Sequence, residues 1–451
     1  MHTFLVLGAG RSAYALIRYL LDRASEEQWI VIVADRELDL INAHFPDHPA
    51  LQKRTFNVLE EEQREAVVQQ ADTVISMLPA RFHPLVAKAS LKLHKHLLTA
   101  SYISEEMKAL EEEAKEKGLV FLNEMGLDPG IDHLSAMKVI DELKREGATI
   151  TAFESYTGGL VAPQYDNNPW NYKFTWNPRN VVLAGQGTAK YISNGKYKYL
   201  PYHRLFEEAR EFTIEGYGQF EGYPNRDSLQ YREVYGLQDI PTMLRGTFRR
   251  KGYCHSWNHF VQLGLTEDTY TMEGTEEMTY REYVNSFLPY STERPVEKKL
   301  AKELGLPENG EEMEKIAWLG LFENTPIGLS NASPAQILQH CLERKWKLEP
   351  EDKDMIVMLH RFEYSLPNGE ERVRTSSMII LGEDSRNTGM AQGVGLPLAL
   401  GAKLLAQGKV TQRGVLYPTS PEIYEPVLAE LKELGMQFHE EDHALGIEKI
   451  A

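Results

Sequence analysis

Cysteine is nearly missing: the 451 residues contain two, Cys254 and Cys341. Two such distant thiols supply neither a disulfide framework nor the ligand spacing of a metal site. Basic residues are also short, 49 Lys and Arg against 66 Asp and Glu, for a formal net charge of −17. A surface of that sign repels polyanions, so neither nucleic acid nor an anionic membrane is expected as partner. No basic leader precedes the strand-sized apolar run of Met1-His-Thr-Phe-Leu-Val-Leu-Gly8. Nor does any stretch approach membrane-spanning length. Repeats and low-complexity tracts are lacking too. The expectation is a soluble, cytoplasmic protein of two or three domains, because 451 residues exceed what one core holds. An anionic substrate would need a local cluster of arginines working against the overall field.

What is present is an alternation of strands and helices. Phe4-Leu-Val-Leu7, Trp29–Ala34, Thr73–Leu78 and His96–Ala100 read as buried strands, with a helix at Tyr14–Arg23 and another from Ser104. That alternation predicts an α/β fold with parallel strands and helical crossovers. Residues 157–264 are rich in Tyr, Trp, Gly, Pro and Asn, which suits a twisted sheet with long loops. A charged helical section covers 266–347. A hairpin then turns at Pro367-Asn368-Gly369, and helices follow at Met390–Gln407 and Glu422–Leu434.

Gly8-Ala-Gly10-Arg11-Ser12-Ala13 is G-x-G-x-x-A between a strand and a helix, the pattern that lets a pyrophosphate approach a helix N-terminus. Asp35 ends the second strand, where a carboxylate binds ribose hydroxyls and repels a 2′-phosphate. This favours NAD over NADP, although Arg36 next door could neutralise a phosphate. Met77-Leu78-Pro79 and Ala100-Ser101-Tyr102 close later strands at the same carboxyl edge.

The densest polar chemistry lies in Asn123-Glu-Met-Gly-Leu-Asp128-Pro-Gly-Ile-Asp-His133, more than a helix start requires. The plain alternative is that Asp128 caps the helix and Pro129 takes its first turn. His133, one turn in, reads as structural. Gly222-Tyr-Pro-Asn-Arg226-Asp-Ser228 and Leu244-Arg-Gly-Thr247-Phe-Arg249-Arg250 set arginines beside residues that fix backbone geometry. Arginine suits a bidentate grip on carboxylates, and Arg226 is the preferred candidate.

With Ser155-Tyr-Thr-Gly-Gly-Leu-Val-Ala-Pro163, Asp166-Asn-Asn-Pro169 and Tyr172-Lys-Phe-Thr175-Trp176, these motifs make the chain resemble the saccharopine dehydrogenase family of the L-glutamate-forming type, also called saccharopine reductase. The resemblance runs from the first glycine motif to Val394-Gly-Leu-Pro397. It implies three domains: a Rossmann-type dinucleotide-binding domain (1–127, completed by 388–451), an α+β substrate and dimerisation domain (128–265 and 350–387) and a small helical domain (266–349). It also implies a homodimer and the reaction of saccharopine, NAD(P)+ and water to L-glutamate, 2-aminoadipate 6-semialdehyde and NAD(P)H in lysine metabolism. Residue by residue, Ser101, Tyr102, Asp128, Arg226, Thr247 and Arg249 would contact saccharopine, with Asp128 and Tyr102 nearest the chemistry. Gly8, Gly10, Arg11, Ser12, Ala13, Asp35, Asn57, Met77, Leu78, Asp128 and Thr175 would line the dinucleotide. One position departs: the family commonly has cysteine where this chain has Thr157, a hydroxyl too weakly acidic to shuttle protons like a tuned thiol. Two other readings are a superfamily relative acting on a polyamine, of the carboxynorspermidine or homospermidine type, and a non-catalytic NAD-binding sensor.

Overall fold

The computed structural model describes residues 1–446. Its contacts gather the chain into two units. Of the described residues, unit 1 comprises 1–155, 231–240 and 354–446, and unit 2 comprises 156–230 and 241–353. The division differs from the three-domain expectation. Segment 266–349 does not stand apart, because its helices share one core with 156–230. The 354–387 hairpin groups with the dinucleotide-binding segment.

Unit 1 is built on a seven-stranded parallel sheet. Its strands are β1 (His2–Leu7), β2 (Trp29–Asp35), β3 (Leu51–Thr55), β4 (Thr73–Ser76), β5 (His96–Thr99), β6 (Val120–Leu122) and β15 (Gly414–Leu416), in the order β15-β6-β5-β4-β1-β2-β3. Leu5, Leu7, Ile32, Val74 and Leu97 are among the buried side chains that hold the crossover helices to it. Strand order reverses between β1 and β4, and ligands of doubly wound folds bind beyond the carboxyl ends at such a reversal. The edge strand β3, Leu-Gln-Lys-Arg-Thr, is only half-buried and carries no apolar run.

The long strand β7 (Thr149–Val161) starts in unit 1 and ends in unit 2. Later in unit 1, β13 (Asp354–Ser365) and β14 (Glu371–Leu381) form the expected hairpin, paired from Met355↔Leu381 to Ser365↔Glu371. The strand β16 (His439–Ala444) adds to β14. Helix Gly389–Ala406 starts on the buried Asp354, whose carboxylate accepts from the Gly389 and Met390 amides at 2.5 and 2.9 Å. This helix is long and apolar enough to cross a membrane, contrary to the sequence expectation, and 67% of it is buried within the fold. It is a core helix. It packs on helix Tyr14–Arg23, and a Cβ placed on Gly395 would lie 2.7 Å from the Leu16 amide nitrogen.

Unit 2 contains the hairpin β8 (Thr188–Ser193) and β9 (Lys196–Pro201), and the antiparallel set β10 (Arg210–Ile214), β11 (Gly218–Pro224) and β12 (Thr242–Arg250). Its core is aromatic. Trp170 packs on Trp257, Phe260 and Trp346 at centroid distances of 6.5, 5.4 and 5.5 Å. Trp346 in turn touches Tyr172, Phe174 and Tyr253. These rings come from both sides of residue 266, which is why the helical segment is not independent.

The Gly395 approach gives a stability prediction. Gly395→Ala overpacks backbone against backbone and should cost about 1–3 kcal/mol, read as a lower denaturant midpoint for unit 1. An unchanged midpoint would show that the two helices separate freely.

Candidate active site

At the β1–β4 reversal, Gly8 has φ +96°, and a Cβ there would meet the Met77 carbonyl oxygen at 3.2 Å. Glycine alone lets the chain turn so close to β4. A Cβ on Gly10 would meet nothing within 4 Å, so the turn opens onto free space. Arg11–Ala13 form one tight turn that leads into helix Tyr14–Arg23, leaving early amides without helical partners. Asp35 is fixed at the end of β2: its two oxygens accept from the Ala9 amide at 2.8 Å and the Glu37 amide at 3.0 Å. The exposed Arg36 guanidinium lies 3.4 Å from Glu37. Asn57, past β3, accepts from the Leu59 amide at 3.1 Å, and the half-buried Met77 and Leu78 follow β4. Open glycine cradle, helix start and fixed carboxylate fit a dinucleotide.

Ser101 and Tyr102 follow β5, both half-buried. The Tyr102 hydroxyl lies 3.5 Å from Asp128 Oδ1, so the structure brings together the two residues expected nearest the chemistry. Asp128 is not the helix cap. Helix Ile131–Arg145 begins after Gly130, and Asp132 takes the Gly130 amide at 2.6 Å. His133 is fully buried, its two nitrogens held by Glu124 at 2.8 Å and the Tyr235 hydroxyl at 2.6 Å, which makes it structural as read from sequence.

One histidine escaped the sequence reading. His83 opens the helix after β4, buried, with Nδ1 2.9 Å from Ser76 Oγ and Nε2 2.8 Å from Ser101 Oγ and 3.0 Å from Thr99 Oγ1. Burial pushes its pKa down to about 4, so the ring is neutral. The available signal was its place just past Met77-Leu-Pro79 at the carboxyl edge.

In unit 2, the two-residue period of β12 puts Arg245, Thr247 and Arg249 on one face. Thr247 pairs with Tyr223 across to β11. Arg249 is 3% exposed. It donates to the Phe248 carbonyl at 2.9 Å, its Nε has no partner, and no carboxylate of the described residues lies within ion-pair distance. The rings of Tyr172, Tyr223 and Tyr253 surround it at 5.3, 5.8 and 5.4 Å. Burial raises all three phenols, Tyr223 to about 12, so none becomes an anion at neutral pH. Arg226, the candidate preferred from sequence, sits instead at an exposed left-handed corner with φ +51°. Arg245 and Arg249 are the buried arginines of this strand, Arg249 the more deeply so. Thr157 and Thr175 are buried nearby in sequence to other unit 2 motifs, and their hydroxyls lack partners among the described residues.

Comparison with known proteins follows the same residues. The family model described as "Saccharopine dehydrogenase NADP binding domain" matches 4–122, and that described as "Saccharopine dehydrogenase C-terminal domain" matches 126–436. The chain belongs to the saccharopine dehydrogenase family. It is 32% identical over 98% of its length to saccharopine dehydrogenase [NADP(+), L-glutamate-forming] of Schizosaccharomyces pombe, covering 99% of that protein. It is 34% identical over 96% of its length to mouse mitochondrial alpha-aminoadipic semialdehyde synthase, of which it covers 47%. The chain thus spans less than half the length of that protein and of its rat and bovine counterparts. The structure of apo saccharopine dehydrogenase (L-Glu forming) from Saccharomyces cerevisiae superposes with a TM-score of 0.88 at 31% identity, covering 98% of this chain and 100% of that one.

In a member of the saccharopine dehydrogenase family, an unpaired buried guanidinium reads as a binding group kept at some cost to the unliganded protein. Arg249→Met should leave the ligand-free thermal midpoint unchanged or raised while abolishing the response to a carboxylate substrate. A large loss of stability would mean the charge is already satisfied without ligand. For His83, the folded pKa lies below the ordinary histidine value of 6.5, so the unfolded chain takes up the proton first. Its contribution is complete above 6.5 and lost as pH falls toward 4, on the order of 3 kcal/mol. Denaturation at about pH 7 and about pH 4.5 should show that loss in the wild type and not in His83→Gln.

Proposed function

We propose that the chain oxidises saccharopine at the carbon on the lysine side of its secondary amine. The observation that carries this reading is Arg249, a buried positive charge with no carboxylate of its own. In the balanced reaction, saccharopine, NAD(P)+ and water give L-glutamate, 2-aminoadipate 6-semialdehyde, NAD(P)H and a proton. Bound NAD(P)+ would supply the hydride acceptor, held by the Gly8–Ala13 turn and Asp35. Arg249 holds a substrate carboxylate, with Arg226 and Thr247 assigned to the substrate by family resemblance. Tyr102 and Asp128 take the polar contacts near the amine, their half-burial leaving them in exchange with solvent. Thr157 offers a hydrogen bond only, since its hydroxyl does not ionise near neutral pH.

A polyamine substrate would set positive charge against Arg249, which argues against that relative. A sensor without activity would have no need to keep a buried, uncompensated guanidinium. Reduced-nicotinamide formation on adding saccharopine to the purified chain decides among the three. No formation in either direction, with a polyamine active instead, would overturn the proposal.

We further propose a preference for NAD(H), supported by the Asp35 carboxyl group, which two amides fix at the end of β2, the position where an acidic side chain favours ribose hydroxyls over a 2′-phosphate. The Schizosaccharomyces pombe relative carries NADP(+) in its name, so the preference is proposed for this chain alone. Its kcat/KM should be higher with NAD, and Asp35→Ser should lower NAD use and raise NADP use. A wild type that favours NADP would show that Arg36 outweighs Asp35.

A further inference from the structure

Around His83, unit 1 carries a device that the assignments above do not use. Ser76, Thr99 and Ser101 lie at or just past the carboxyl ends of β4 and β5, and their three hydroxyls meet one imidazole. His83, Ser76 and Thr99 are at most 4% exposed, whereas Ser101 is half-buried at the open edge. Ser101 is therefore the member of the cluster through which the imidazole reaches a ligand. The loop cannot drift freely, because the Ser101 amide also donates to Thr99 Oγ1 at 3.2 Å.

The chemistry lies in a single proton. A neutral imidazole carries one N–H, and a hydroxyl has one hydrogen to give. If His83 carried it on Nδ1, Nε2 would accept from Ser101 or Thr99, and in neither case would the ring donate to Ser101 and fix its hydrogen outward. A carboxylate, itself acceptor-only, would find no fixed donor there. If Ser76 donates to Nδ1, the proton sits on Nε2, the ring donates to Ser101 Oγ, and the Ser101 hydrogen is free to point outward. The imidazole partners Ser76, a hydroxyl 1% exposed that needs an acceptor.

We infer that His83 is a positioning residue: as the neutral Nε2–H tautomer it turns the Ser101 hydroxyl into a fixed donor for a substrate carboxylate. The inference rests on the proposed saccharopine reading, and it assigns the anion-facing group of unit 1. Burial supports it independently, because a ring held neutral does not add a charge that would bind anions without regard to geometry.

The test pairs kinetics with a direct view of the proton. His83→Leu should raise the KM for saccharopine about tenfold, the scale of one hydrogen bond to a charged group, with kcat and the cofactor KM within a few-fold of wild type. His83→Gln, whose amide N–H replaces the Nε2 donor, should recover most of that loss. Ser101→Ala should match His83→Leu, and the double variant His83→Leu/Ser101→Ala should be no worse than either, since both remove one interaction. That arm covers the case of a poorly folded His83→Leu. In 15N-histidine-labelled wild type, the resonance lost in His83→Gln should show a protonated Nε2 and an unprotonated Nδ1. A proton on Nδ1, or additive effects of the two substitutions, overturns the inference. A wild type inert toward saccharopine overturns the functional reading instead, and the tautomer measurement does not depend on it.

Discussion

Glu124 is a buried carboxylate on which the catalytic edge of unit 1 depends. It sits 2% exposed in a left-handed conformation, φ +52°, and gathers donors from three separate stretches of chain. It accepts from the Ile103 amide at 3.0 Å, from His133 at 2.8 Å and from the Tyr231 hydroxyl at 3.0 Å, while its own amide donates to the Ser101 carbonyl at 3.2 Å. A polar group so buried persists only when its lone pairs are filled, and leaving one unsatisfied costs about 1–3 kcal/mol. The loop carrying Ser101 and Tyr102 and the segment that follows Asp128 are thus tied to the two oxygens of one carboxyl group. The Tyr102 hydroxyl stands 3.5 Å from Asp128 where these two segments meet.

Unit 2 follows the opposite rule at Arg249. There the charge is buried and its neighbours are neutral rings, which attract a cation through their faces without cancelling it. The chain as a whole carries −17, a field that disfavours an anionic substrate at long range. In water a single arginine would hardly reverse that. Inside a low-dielectric aromatic pocket the same Coulomb attraction is several times larger. The aromatic core of unit 2 therefore closes the fold around Trp170 and Trp346 and, under the proposed function, supplies the medium in which the Arg249 guanidinium attracts a carboxylate.

Much of this was legible in the sequence where burial writes itself as hydrophobicity. The central parallel strands β1, β2, β4 and β5 are apolar runs because both faces are covered. The edge strands β3 and β16 were not legible, since Leu51-Gln-Lys-Arg-Thr55 and His439-Glu-Glu-Asp-His-Ala444 look outward and carry no such run. The 123–133 turn declared itself by excess polar chemistry, but the sequence could not say that Asp132, not Asp128, takes the amide at the helix start. Likewise the two-residue spacing of Arg245, Thr247 and Arg249 was visible. That Arg249 is enclosed by rings was not, because that is decided by Tyr172, Tyr223 and Tyr253, two of them distant in the chain. The grouping of 266–349 with 156–230 has the same origin, a core assembled from rings far apart in sequence.

Thr157 shows how a departure from the family pattern redistributes the work of a site. Its hydroxyl is buried and without a partner among the described residues. A polar group left in that state costs on the order of 1–3 kcal/mol, which a ligand atom or a water recovers on arrival. The residue is therefore suited to binding and unsuited to proton transfer, for which its hydroxyl is far too weak an acid. Proton traffic then falls to groups that exchange with solvent. Tyr102 and Asp128 meet that condition, being half-buried and adjacent, whereas His83 and His133 do not: both are enclosed, and their nitrogens are already bonded. The buried histidines in this fold are thus suited to setting geometry, and under the proposed function the half-open Tyr102–Asp128 pair deals with protons.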